Sequence, residues 1–155
     1  MESYLTFKLE DDLYAIHVVK LSNILEISQI TQVPNSPEYL LGVSNFRGVV
    51  MPIVDLRIKL GLKQNPTTQN SCILVLEMEN EGKTDYIGSL VDAVQEVIEL
   101  NFDDILLPPV MTTGNESSYL TGMVKTRDEK FIMILDIDKI FKTDEIAELT
   151  MNNNN

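Results

Sequence analysis

The second half of this chain echoes the first, and that repetition limits the available folds more than any other feature. Tyr14-Ala15-Ile16-His17-Val18-Val19 has a counterpart 72 positions later in Tyr86-Ile87-Gly88-Ser89-Leu90-Val91. Tyr39-Leu40-Leu41-Gly42-Val43 returns 80 positions on as Tyr119-Leu120-Thr121-Gly122-Met123, and Arg47 maps onto Arg127. With one inserted residue, Ile53-Val54-Asp55-Leu56 returns as Ile134-Leu135-Asp136-Ile137. Order and spacing both persist, so the chain reads as an internal duplication of a unit of roughly 60–70 residues, a size that barely buries enough apolar surface to stand alone.

Short apolar runs rich in β-branched residues give that unit its class. Residues 4–9 and 13–16 read as strands around the tight turn Glu10-Asp11-Asp12. Apolar residues at 18, 21 and 25 have helical spacing over two turns at most, and residues 27–33 alternate as a strand until Pro34 and Pro37 end it. Two strands then bracket Asn45-Phe46-Arg47-Gly48, the pattern of a type I turn closed by a left-handed glycine. Pro52 has no N–H to give a ladder and is expected at a bulge or sheet edge. Residues 55–60 predict a short helix ending at Gly61, and the polar, proline-containing stretch 63–71 a linker. Strands follow at about 72–79, 84–90, 93–100, 120–126 and 130–135, with Pro108-Pro109 in a loop between them and helices over 136–142 and 143–151.

The expectation is an all-β fold in which several strands of each unit curl into a small barrel to hide their edges, and the two barrels share a core and leave a groove where they meet. One domain over 1–142 is built from two subdomains, about 1–62 and 71–142, followed by a C-terminal helix and tail over 143–155.

Charge and residue counts narrow the function. Twelve basic and 24 acidic residues give a net charge of -12, a field that repels nucleic acid and anionic lipid. Residues 1–62 hold 7 acidic and 5 basic side chains, the remainder 17 and 7, so the nearly neutral first half is the better place for an apolar or acidic partner. A single cysteine, Cys72, forms no intrachain disulfide and suits a reducing compartment. The N-terminus lacks signal-peptide features and no apolar run approaches the roughly 18 residues that span a bilayer, which predicts a cytoplasmic protein. With one histidine, His17, and no Cys/His cluster, neither acid–base catalysis nor a metal site is favoured, and no cofactor is expected. His17 reads as structural or solvated, Cys72 as a small apolar residue and Asp103-Asp104 as a solvated turn. The repeat-equivalent Tyr14, Tyr39, Tyr86 and Tyr119 read as core anchors.

Residues 45–57, Asn45-Phe46-Arg47-Gly48-Val49-Val50-Met51-Pro52-Ile53-Val54-Asp55-Leu56-Arg57, resemble the signature of the CheW family, the coupling proteins of bacterial chemotaxis. The family form is an N-L-R-G turn, an apolar strand with a proline, then V-D-L-R; Phe46 stands here for the leucine. Gly88-Ser89-Leu90-Val91-Asp92-Ala93-Val94 is similar to a second family segment, and Pro108-Pro109 and Ile134-Leu135-Asp136-Ile137-Asp138 also fit. The likeness covers about residues 3–142. It implies two intertwined SH3-like five-stranded barrels and a non-enzymatic adaptor. Such an adaptor joins the cytoplasmic tips of chemoreceptors, in arrays at the inner membrane, to the regulatory domain of the histidine kinase CheA.

The resemblance also implies sites. Arg47, Gly42 and Val43 fall in the receptor-facing region, and Leu21 borders an apolar groove that accepts a helical hairpin. Val110 and Met111 fall where the family contacts the kinase, a methionine suiting an adaptable interface. Each has a plainer reading: Arg47 as a brace for its turn, Gly42 as a strand glycine admitting a close backbone, Leu21 as core, Val110 and Met111 as a plug under a loop. Asn23 stands where the family often has an acidic residue, so no charge-based contact carries over to it. The competing function is a metabolite-binding or catalytic barrel using the groove, which requires convergent titratable groups.

Overall fold

A computed structural model of the chain describes residues 1–107 and 119–141. The duplicated pattern folds as two repeats of five strands. The first holds β1 (Glu2–Leu9), β2 (Asp12–His17), β3 (Leu21–Glu26), β4 (Leu40–Phe46) and β5 (Val49–Asp55), and ends in the helical turn α1 (Leu56–Lys59). The second holds β6 (Cys72–Asn80), β7 (Lys83–Val91), β8 (Ala93–Leu100), β9 (Leu120–Lys125) and β10 (Phe131–Leu135), and ends in α2 (Ile137–Ile140). Asp55 and Asp136, equivalent in the repeat, cap these two turns by accepting from the Arg57 and Lys139 N–H groups.

The sheets do not follow the sequence halves. One has the order β8-β1-β2-β10-β9 and the other β3-β6-β7-β5-β4. Replacing every strand by its repeat equivalent turns the first order into the second, so the duplication is structural. The hairpin β1–β2 completes the sheet of β8 to β10, and β6–β7 completes the sheet of β3 to β5. Residues 1–62 and 71–142 therefore each contribute strands to both sheets. We call the first sheet the outer-repeat barrel and the second the inner-repeat barrel.

Closure comes from two equivalent bridges. Thr31 and Val43 exchange backbone hydrogen bonds of 2.9 and 2.8 Å, and Leu106 and Met123 exchange two of 2.8 Å. Each bridge ties the chain leaving one edge strand (β3 or β8) to the opposite edge strand (β4 or β9), which curls the sheet and removes its free edges. This class, two packed five-stranded β units with few helical turns, is the one the sequence pattern predicts. Alternation supplies the core between them. Leu5, Phe7 and Ile16 from one barrel and Leu74, Leu76 and Ile87 from the other join a single cluster, each 2% exposed or less. Each such side chain contributes about 1.5–3 kcal/mol, so the barrels share one interior. Tyr14, Tyr39 and Tyr119 pack on that cluster, and Tyr86 packs on a second one beneath Phe46.

Several local expectations are corrected. Residues 18–25 are not helical: a 3₁₀ turn, Val18–Lys20, leads directly into β3, where pairing with β6 overrides a weak periodicity. Residues 27–33 form no strand beyond the Thr31 bridge. Pro52 sits in an inner strand. Its partner Val43 directs both backbone groups to Thr31, and pairing of β5 with β7 starts one residue later at Ile53, so neither neighbour asks the proline for a donor. The helix over 143–151 and Pro108-Pro109 lie outside the described residues.

Candidate docking surface

The turn joining β4 to β5 is shorter than the sequence suggests. Phe46 pairs with Val49, leaving a two-residue loop in which Arg47 (φ 53°) and Gly48 (φ 80°) both have positive φ. This is the type I′ class, whose twist matches that of the flanking strands, rather than a type I turn. Asn45 earns its place through its side chain, whose Oδ1 accepts the Gly48 N–H at 2.9 Å. A non-glycine residue in the left-handed region is strained, and three contacts hold it there. The Arg47 guanidinium lies 4.8 Å from the centroid of the Phe46 ring, and its Nη2 donates to Asn23 Oδ1 on β3 at 3.1 Å. Ser22 Oγ donates to the same oxygen at 2.6 Å. Phe46 itself is buried against Tyr86, ring centroids 5.2 Å apart.

Arg47 thus braces its turn and still presents most of its donors to solvent. On the adjoining strands Ile24, Val49 and Val50 are 46%, 53% and 45% exposed, Val49 and Val50 on alternate faces of β5. Val43 lies farther along β4 on a shallow polar cleft of about 370 Å³ lined by Ser28, Gln29, Thr31, Ser44 and Asn45. Gly42 is buried. A Cβ there would come within 2.2 Å of the Thr31 carbonyl oxygen, and its φ is 150°, so it admits the barrel-closing segment. Gly122, its repeat equivalent, admits Ile105 in the same way. Leu21 is half-buried against the shared core at the start of β3, the strand that carries Asn23. The inner-repeat barrel therefore brings Leu21, Gly42, Val43 and Arg47 onto its two joined edges, with Val43 and Arg47 facing outward. Val110 and Met111 lie outside the described residues.

Sequence reasoning passed over the burial of Arg57, the most deeply buried cation in the described residues. Its side chain is 1% exposed and Asp55 is 0% exposed. Nε and Nη2 fork onto the two Asp55 oxygens at 3.0 and 2.9 Å, while Nη1 donates to Asp92 Oδ1 at 2.8 Å and to the Asn65 carbonyl at 2.6 Å. The Asp55 hydrogen bonds raise the guanidinium above its ordinary pKa, burial opposes them, and the charges of Asp55 and Asp92 add to the rise. Asp92 Oδ2 in turn accepts the Glu10 N–H in the β1–β2 turn. The signal was present in the Asp55-Leu56-Arg57 spacing, which places carboxylate and guanidinium two residues apart across a strand-to-helix corner.

His17 has a carboxylate partner that the sequence did not reveal. Antiparallel pairing of Tyr4 with His17 brings Glu2 alongside, in contact with Nε2, while Nδ1 accepts the Val19 N–H and caps the 3₁₀ turn. Cys72 opens β6, half-buried, and burial pushes its thiol up. Between the barrels a cavity of about 360 Å³ is lined by Tyr14, Leu60, Leu62, Tyr119 and Met133, with Lys59 its one charged group among the described residues. Among the described residues no three His, Cys, Asp or Glu side chains converge as a metal site would require, and no helix is long and apolar enough to cross a membrane.

The chain is similar to known proteins over nearly its whole length. Two relatives are each 32% identical: the chemotaxis protein CheW of Klebsiella aerogenes, over 94% of this chain and 85% of the relative, and that of Thermotoga maritima, over 93% and 90%. The crystal structure of the scaffolding protein TtCheW from Thermoanaerobacter tengcongensis superposes with a TM-score of 0.78 at 29% identity, over 93% of this chain and 94% of the other. The family profile described as the CheW-like domain matches residues 3–145. A duplicated pair of closed β units, carrying the Asn45 to Gly48 turn at one end of β5 and the Asp55-Leu56-Arg57 corner at the other, belongs to the CheW family of chemotaxis scaffold proteins.

Proposed function

We propose that this adaptor works without chemistry of its own, holding two partners on two barrels: a chemoreceptor cytoplasmic tip on the inner-repeat barrel and the regulatory domain of the kinase CheA on the outer-repeat barrel. The observation that carries the receptor side is Arg47, fixed on a two-residue turn by Phe46 and Asn23, with exposed Val49 and Val50 following it on β5 and exposed Ile24 next to Asn23 on β3. A preorganised guanidinium loses little entropy on meeting a carboxylate or carbonyl, and the apolar rim suits the face of a helical hairpin. Val43 extends that surface, Gly42 lets the backbone beneath it close, and Leu21 anchors the strand opposite. Val110 and Met111 are the proposed kinase contacts. Array association at the inner membrane follows from the receptors.

The competing reading as a metabolite-binding or catalytic barrel finds no support. The cavity between the barrels is mainly apolar, and among the described residues no three His, Cys, Asp or Glu side chains converge. Pull-down with a receptor cytoplasmic fragment and with the kinase regulatory domain, at low salt, tests the proposal. Binding of both is expected, and Arg47→Glu should weaken receptor capture at least tenfold while sparing the kinase. Binding of neither partner would remove it.

A further inference from the structure

Among the described residues the chain passes between the barrels twice. It leaves β2 for β3 through the turn Val18–Lys20, and it leaves β7 for β8 at Asp92. Both crossings are tied by an ion pair to the helical turn that follows the parallel neighbour of the strand being left. Arg57 on α1 meets Asp92, and Asp138 on α2 meets Lys20, with Nζ 2.8 and 3.0 Å from its two oxygens. Lys20 and Asp92 are equivalent at the repeat spacing of 72, and Arg57 and Asp138 at the spacing of 81. The same contact therefore exists twice with its charges inverted: cation on the helix and anion on the crossing in one, anion on the helix and cation on the crossing in the other.

The two contacts differ in strength by environment. Arg57 is 1% exposed, bidentate to Asp55 and bonded to a third partner besides Asp92. Lys20 and Asp138 are 28% and 56% exposed and have only each other among the described residues. An exposed single pair is weak and screened by salt, whereas a buried, multiply bonded one is not. Lys20 is followed at once by Leu21, and β3 then carries Asn23, the anchor of Arg47.

We infer that Lys20–Asp138 is a releasable latch that sets the position of β3, while its charge-inverted counterpart Arg57–Asp92 is a permanent clamp. Through the latch, the C-terminal turn of the outer-repeat barrel bears on the strand that orients Arg47 in the inner-repeat barrel. Lys20 and Asp138 are positioning residues for that edge. That the edge is a docking edge rests on the adaptor reading above.

Hydrogen exchange on the free, full-length protein tests the latch. At low salt, Lys20→Asp and Asp138→Lys should each speed exchange in Leu21–Glu26 about two- to fivefold, the range of an exposed ion pair. The exchanged pair Lys20→Asp/Asp138→Lys, which adopts the charge order of the other crossing, should return it to the parental rate. Exchange in Lys83–Val91, beside the clamp, should not move. Raising salt to about 1 M, where the screening length falls to about 3 Å, should bring the parent to the rate of the single variants. Unchanged exchange in both single variants, or a double variant as fast as the singles, would overturn the inference. Binding to a receptor cytoplasmic fragment should weaken in the single variants and recover in the double. Absence of binding by the parent itself would count against the adaptor reading alone, because the exchange experiment needs no partner.

Discussion

Replacing Arg57 by alanine strands two carboxylates in the interior. Asp55 is fully buried, and after truncation its oxygens retain only the residue-57 backbone N–H and Gln64 Nε2 at 3.0 and 3.2 Å. Asp92, 18% exposed, loses the one cation it pairs with among the described residues. Breaking a buried pair from one side costs about 3–5 kcal/mol, because the remaining charge has neither partner nor water. For a domain of this length, where each kcal/mol moves the midpoint by about 2–4 °C, the melting temperature should fall by roughly 6–20 °C. That is a large fraction of the 5–15 kcal/mol that separates typical folded and unfolded states. Arg57→Lys keeps a charge but loses the fork onto Asp55 and the reach to Asn65, so it should fall between parent and alanine variant. Urea titration followed by circular dichroism reads the effect, with Arg47→Ala, on an exposed turn, as the control expected to lie within about 1 kcal/mol of the parent. An Arg57→Ala midpoint within 1 kcal/mol of the parent would refute the argument, since it would mean that Asp55 is solvated or protonated at no cost.

Three further outcomes follow from single contacts. Gly42→Ala should destabilise by about 1–3 kcal/mol, because its Cβ meets backbone at Thr31, whereas Gly48→Ala should cost about 1–2 kcal/mol through φ alone, nothing lying within 4 Å; thermal melts of the two variants make the comparison. Ser89 is fully buried with an unpartnered hydroxyl, so Ser89→Ala should be neutral or stabilising by up to about 1 kcal/mol in the same denaturation assay. Burial raises Cys72 from its ordinary 9.0, and burial with the charges of Asp12 and Glu10 raises Tyr14 from its ordinary 10.0. The folded state then holds both protons more tightly than the unfolded one, so their contribution is complete below pH 9 and is lost as pH rises through 9 and 10. Stability measured from pH 8 to 11 should fall, and the fall should shrink in Tyr14→Phe and Cys72→Ala.

Much of this architecture was legible because duplication and alternation are carried by apolar residues whose spacing survives divergence. The Tyr39 and Tyr119 segments, the Asp55 and Asp136 caps and the paired glycines Gly42 and Gly122 were all visible as echoes, and each pair does the same physical work in the fold. What the echo conceals is the exchange of hairpins. A repeat says which strands are equivalent, but the choice between pairing β1–β2 with its own repeat or with the other is decided by side chains far apart in sequence, such as Phe7 and Leu76 in one core. The docking surface was readable in part. Arg47 stands out by position, yet its brace, Asn23, lies 24 residues away and becomes its neighbour only when the barrel closes. Arg57 was visible only as the end of the signature: its spacing from Asp55 hints at a pair, but its burial is settled by Asp92, which arrives from beyond β7.

The repeat also explains why one barrel and not the other presents a lone guanidinium. Arg127 is the counterpart of Arg47, but Lys125 pairs with Phe131, so its turn spans five residues where the first spans two. Asp128 occupies the place of Gly48 and Glu129 follows, with φ 63° passing to that acid. Among the described residues Arg127 has neither a ring beneath it nor a hydrogen-bonding side chain beside it, and it stands next to two carboxylates. A partner carboxylate approaching this second turn meets like charge and a side chain still to be ordered; approaching the first, it meets a guanidinium already fixed over Phe46. Asymmetry of that kind is what a duplicated scaffold needs if its two halves are to hold different partners. Exchanging the turns tests the point. Inserting the five-residue turn between Phe46 and Val49 should abolish receptor-fragment binding with the fold intact, and retained affinity would show that the turn's geometry is irrelevant to docking.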